Sequence, residues 1–296
     1  MMMESDRDTP SNIRHPVLQW LIYGHLWLVL AVVAQILWTG LFLHEAPELW
    51  RYTTAAALGT FAGYATMRLA RVNSPEAGRY LNLIWYKEQR KLITALVGVA
   101  GSAAFLLMWP LWRSLWHWLL PVVAMALLYL TPFTSGTGRG FGLRSIPFLK
   151  VLLIPGLWVI VCSAVPMRLD LFDHAPGAIL AFACMRLPLV MALTVVFDIR
   201  DSLTDDPALR TMPQVFGIRG AKVIASVLLL CSALYEVIFL RTLGYPNAVW
   251  SLLVAYVVAL GLTLRARPVR DPIYYALYVD GVMILIPLCA WIGTLV

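Results

Sequence analysis

Nine times along the chain, apolar residues run for roughly the twenty positions that a helix rising about 1.5 Å per residue needs to cross about 30 Å of hydrocarbon. The runs lie near 17–43, 50–70, 92–110, 115–131, 146–166, 175–197, 221–241, 247–264 and 274–295. The expected fold class is all-α, a polytopic membrane protein with a bundle of about nine transmembrane helices. Composition agrees: 60% of the 296 residues are hydrophobic, only 13% are charged, and the chain is too greasy for a water-facing surface. Residues 1–16 read as a polar tail that does not resemble a cleavable signal peptide, because no short apolar core and small-residue site occur there. No Ser/Gly linker divides residues 17–296, which read as a single nine-span domain. The third and fourth runs are separated only by a Trp-rich turn around Arg113, which predicts a hairpin of antiparallel neighbours. Cys162, Cys184, Cys231 and Cys289 fall singly inside apolar runs and read as buried, inert thiols.

Basic residues predict the orientation. With the N-terminus cytoplasmic, 18 of the 23 Lys and Arg fall on the cytoplasmic side, and the C-terminus lies outside. The same asymmetry accounts for the net charge of +7 without any nucleic-acid partner. The expected location is a bacterial inner (plasma) membrane.

Acids are scarce, yet Asp198, Asp201, Asp205 and Asp206 crowd the end of the sixth run. If the helix continues, Asp198, Asp201 and Asp205 occupy i, i+3 and i+7 on one stripe. Three carboxylates on one stripe repel one another unless a cation sits among them. Hard oxygen donors of this kind suit Mg²⁺, which binds through one or two carboxylates and fills its other positions with water and phosphate oxygens. The alternative is a solvated acidic loop closing a span, although acids at the membrane edge are costly and weigh toward function.

After the acids come Arg210, Thr211, Met212, Pro213 and, four residues on, Gly217. The D-x-x-x-D element from Asp201 to Asp205, followed by a basic residue, T-x-P and a segment ending in Gly, resembles the second aspartate-rich signature of the UbiA superfamily of intramembrane prenyltransferases. Nine spans also match that family. The resemblance implies an all-α bundle around a central cavity. There Mg²⁺ bridges two Asp-rich motifs to an isoprenyl diphosphate, and a lipophilic or aromatic acceptor attacks the allylic carbon. The family's first motif is degenerate here: Tyr64, Arg68 and Val72 stand where it would supply Asn and two Asp. Arg68 and Arg71 could grip diphosphate directly, since guanidinium matches phosphate oxygens bidentately; each also fits ordinary positive-inside charge.

Further candidates for substrate binding are Tyr129 with Pro132, then Arg144, Lys150 and Arg210, which resemble the family's loop and phosphate contacts. Lys150 also suits a headgroup anchor. Asp280, inside the last run, is expected to face the cavity rather than pair with Arg186 in the opposite half of the bilayer. Three readings follow. The first is a divergent Mg²⁺-dependent prenyltransferase, with Asp198, Asp201 and Asp205 as catalytic metal ligands. The second is a lyase or cyclase that ionises the diphosphate without an external acceptor. The third is a non-catalytic lipid-diphosphate binder or transporter.

Overall fold

A computed structural model describes residues 13, 15–74, 78, 81–130, 133–134, 140–141, 148–170, 176–205, 207–271 and 273–295. Side chains of residues 126–134, 140, 141, 176, 178 and 208 lie outside the description. Every apolar run has a helical counterpart. The first folds as α1 (Pro16–Ile22) and α2 (Leu26–Gly40), bent by 56° at His25, a non-glycine residue with φ of 58°. The others give α3 (Leu49–Arg71), the short α4 (Leu81–Glu88), α5 (Arg90–Met108) and α6 (Trp112–Leu130). Then come α7 (Leu149–Val159), α8 (Val165–Met167), α9 (Pro176–Asp201), α10 (Met212–Thr242), α11 (Pro246–Arg265) and α12 (Asp280–Thr294). A two-residue antiparallel ribbon pairs Phe133 with Phe141 and Thr134 with Gly140, the only strands among the described residues.

By length and composition, six described helices can cross a membrane, or seven when the bent α1–α2 pair counts as one. The helix α3 has the length, at 23 residues, but Arg51, Arg68, Arg71 and its threonines dilute its apolar character. The hairpin expected between the third and fourth runs does not form. Trp109–Leu111 make a 3₁₀ turn that tightens the chain without reversing it, and Arg90–Met125 read as one apolar stretch of 36 residues.

The helices pack as a ring. Along it α7 lies against α9, α9 against α10, α10 against α11, α11 against α12, and α12 against α2. From α2 the ring returns to the segment between α7 and α8, while α3 flanks α2 and carries α5. The main apolar core joins α9 to α12 through Leu193, Val196, Leu229, Leu252, Val282 and Ile286.

Prolines shape the interior. Residues Ile160–Ala164 form a widened turn in which the Val165 N–H reaches back to Ile160 O. Pro166 has no N–H, so Val161 O, five residues back, and Cys162 O, four back, lack their helical donor. Side chains from other helices replace it: Tyr52 Oη donates to Val161 O (2.7 Å), and Thr39 Oγ1 (2.6 Å) and Arg186 Nη1 (2.9 Å) donate to Cys162 O. Pro287 likewise frees Met283 O, which accepts from Gln35 Nε2 at 2.8 Å. A second widened turn, Tyr274–Val279, precedes α12, and its Leu277 O accepts from Trp27 Nε1 at 2.9 Å. Helix α2 therefore supplies Trp27, Gln35 and Thr39 to carbonyls on two other helices.

Candidate diphosphate site

The acid stripe ends α9. Its last residue is Asp201, whose carbonyl accepts from the N–H groups of Thr204 (2.9 Å) and Asp205 (2.8 Å). The expectation of a helix running through Asp205 is corrected by this capping turn, which still folds Asp205 back toward Asp198. A 3₁₀ turn, Pro207–Leu209, and Arg210 at φ of 45° lead to Thr211, whose N–H donates to Gln214 Oε1 at 2.9 Å as α10 begins. Gln214 Nε2 reaches back to Asp205 O (3.2 Å) and ties the acid-bearing turn to the next helix. At Gly217 the backbone takes φ 70° and ψ 167°, a break inside α10 that any residue with a Cβ would meet with strain.

Two acids on this rim are paired with basic side chains. Asp198, 1% exposed, accepts from Lys150 Nζ through Oδ1 at 2.6 Å, and the same ammonium lies 3.8 Å from Asp201 Oδ2. Lys150 sits in the first turn of α7 and points into the protein, not toward headgroups. Arg200 grips Asp201 with both prongs, Nε to Oδ1 at 2.7 Å and Nη2 to Oδ2 at 3.0 Å. Its guanidinium stacks 4.8 Å from the Phe197 ring centroid and 5.7 Å from that of Tyr275. Asp280 is within electrostatic reach of Arg200, not of Arg186. Arg68 donates through Nε to His25 Nε2 at 3.4 Å and is also in electrostatic reach of Arg200 and Arg71. Arg68 and the acids therefore share one rim.

Phe148, Lys150, Val151, Asp198, Asp205, Leu209 and Thr211 line a common pocket. Of the acids expected to act together, Asp198 and Asp205 face it while Asp201 is committed to Arg200. Arg71 and Arg210 are exposed. Arg144 and the side chain of Tyr129 lie outside the described residues. Among the described residues no three His, Cys, Asp or Glu side chains converge on one point. The donor set nevertheless fits Mg²⁺ of the kind that shares a substrate: Asp198 Oδ2 is buried without a hydrogen-bond partner among the described residues, and Asp205 lines the same pocket. Two protein carboxylates of this kind would leave other positions of such a metal open.

Arg200 was hidden in the sequence as one more basic residue at a span end. Its signal is the dipeptide Arg200-Asp201 placed after the aromatic Phe197. Glu236, a single acid inside the seventh apolar run, also escaped; an intramembrane carboxylate is itself a signal.

The solved structures include the apo structure of a UbiA homolog from Aeropyrum pernix K1, which superposes with a TM-score of 0.63 over 92% of this chain and 97% of that one, at 14% identity. The chain has the fold of a UbiA homolog. No protein-family model and no curated protein match it. Its six or seven long apolar helices make it an integral, multi-pass membrane protein.

Proposed function

We propose that this UbiA-like protein is a prenyltransferase that ionises an isoprenyl diphosphate and passes the prenyl group to a lipophilic or aromatic acceptor reached from the bilayer. The observation that carries the reading is the pocket shared by Asp198, Asp205 and Lys150 at the end of α9 in a UbiA-like fold. Asp198 and Asp205 would hold Mg²⁺, which supplies positive charge against the departing diphosphate. Lys150 stands ready to turn from Asp198 to a phosphate oxygen, and Arg200 positions Asp201. On the α3 side, Arg68, with Arg71 beside it, would take the part of the missing aspartates by binding diphosphate directly. The C–O bond to diphosphate breaks with its electron pair leaving on oxygen. The acceptor then supplies an electron pair to the allylic carbon and gives up a proton, which the released diphosphate takes. Surrounding apolar helices keep water from the developing cation. The basic asymmetry supports a rim facing the cytoplasm of a bacterial inner membrane.

The test incubates purified protein in detergent with labelled isoprenyl diphosphates, Mg²⁺ and a membrane lipid extract. Release of diphosphate with the label on an acceptor lipid is the expected result. Release with an unattached hydrocarbon product would move the reading to a lyase or cyclase, and binding without release would move it to a non-catalytic carrier.

A further inference from the structure

A second polar cluster lies deep in the bundle, separate from the rim. Arg186 precedes Asp198 by twelve residues on α9, about 18 Å along the axis. It is 2% exposed and Glu236 on α10 is 1% exposed. The carbonyls of Gln35 (2.7 Å) and Cys162 (2.9 Å) take up Arg186 Nη1 alone. Arg186 Nε and Nη2 have no partner among the described residues, and neither has Glu236 Oε2. The two groups attract each other electrostatically, yet no ion pair joins them. Beside them, the Tyr256 hydroxyl lies against Glu236 and pairs with Ser232 Oγ at 2.7 Å, while Ser232 Oγ also donates to Met185 O.

Clamping a proline-freed carbonyl explains Nη1. It does not explain two idle donor groups and an idle carboxylate oxygen at hydrocarbon depth, where unsatisfied polar groups are strongly penalised. Whatever bridges them must accept hydrogen bonds from the guanidinium and donate one to the carboxylate. An anion meets that need on the Arg186 side but is repelled by Glu236; an ammonium is repelled by Arg186. A neutral hydroxyl oxygen does both. The geometry points to a binding site between Arg186 and Glu236 for a hydroxyl oxygen, either that of water or that of a membrane-soluble alcohol or phenol. Three unpartnered protein atoms, Arg186 Nε and Nη2 and Glu236 Oε2, match in number the two to four partners that a buried water needs. The site does not depend on the rim chemistry.

X-ray hydroxyl-radical footprinting of the purified protein in detergent tests this, because radicals generated from bound water oxidise side chains that bulk solvent cannot reach. The expected result is oxidation of Tyr256, which is only 5% exposed. Decanol, decanoate, decylammonium and decane are then added separately. Several-fold protection of Tyr256 by decanol alone identifies the site as one that takes an alcohol, whereas oxidation unaffected by decanol identifies water as the occupant. In Glu236→Gln the repulsion of anions is removed, so decanoate should also protect. A Tyr256 that stays unoxidised in every sample overturns the proposal. So does equal protection by decanoate and decanol in the parent, a comparison that stands even if the variant does not fold.

Discussion

The rim and the deep belt are both polar regions of an apolar bundle, and they are satisfied in opposite ways. On the rim, charge answers charge: Lys150 meets Asp198, Arg200 meets Asp201, and the backbone takes little part. In the belt, side chains answer backbone: Tyr52, Thr39, Gln35 and Arg186 donate to carbonyls, several of which Pro166 and Pro287 have left without an N–H. Ion pairs at a helix end can be exchanged for a ligand's charges at modest cost, whereas a buried donor has nowhere else to go. The contrast separates a region built to trade partners from one built to hold helices together, and it makes opposite forecasts for mutations.

The largest effect should come from the belt. Arg186→Met leaves the Gln35 and Cys162 carbonyls with Thr39 as their remaining side-chain donor and takes away the positive charge near Glu236, a loss of about 1–3 kcal/mol for each buried group left under-satisfied. Thermal unfolding in detergent should show it as a large drop in midpoint, with diphosphate binding per folded molecule unchanged. Equal loss of binding would erase the distinction. Next comes the rim: Asp198→Asn should weaken Mg²⁺-dependent diphosphate binding by roughly ten- to a hundredfold, the equivalent of a charge-assisted contact of about 1.5–3 kcal/mol. Calorimetric titration measures it, and the unfolding midpoint should move far less than in Arg186→Met. Arg68→Ala should cost a similar or smaller factor, Arg68→Lys should recover only part, and Arg68→Asp should abolish binding if the arginine grips phosphate. Tighter Mg²⁺ binding in Arg68→Asp would instead reveal a degenerate metal site that the aspartate repairs.

The smallest effect is the most pointed. Gln35→Leu should destabilise by about 1–3 kcal/mol because Met283 O loses its donor. Pro287→Ala restores an N–H four residues after that carbonyl, so the Gln35→Leu penalty should shrink in the Pro287→Ala background. A double-mutant cycle with no coupling would mean that the proline does not explain the belt.

Much of this fold was legible because a bilayer forces long apolar helices: each of the nine runs is helical, although only six or seven described helices have the length and composition to cross. What failed was the turn near Arg113, since hydropathy records length but not whether three residues such as Trp109–Leu111 reverse the chain. The acids were legible as a group through their spacing. Their division of labour was not, because spacing on an ideal helix cannot show that α9 stops at Asp201 or that Arg200 claims its carboxylate. Lys150 looked like an interfacial anchor, and only tertiary packing brings α7 against α9 to turn it inward. Pro166 and Pro287 are visible in the sequence as lost donors, but nothing local reveals that α2 replaces them.

The reach of α2 also bears on how the protein is assembled in the cell. Gln35 must find a carbonyl 248 residues later in the chain, and Trp27 one that lies 250 residues later. At about 5–20 residues per second, a ribosome takes roughly 12–50 s to make that interval. For that time the glutamine amide and the indole N–H of α2 lack their final acceptors. The helix that enters early is therefore sealed late, and a nascent chain stalled before α12 presents a polar stripe that a membrane chaperone or quality-control protease can read as unfinished.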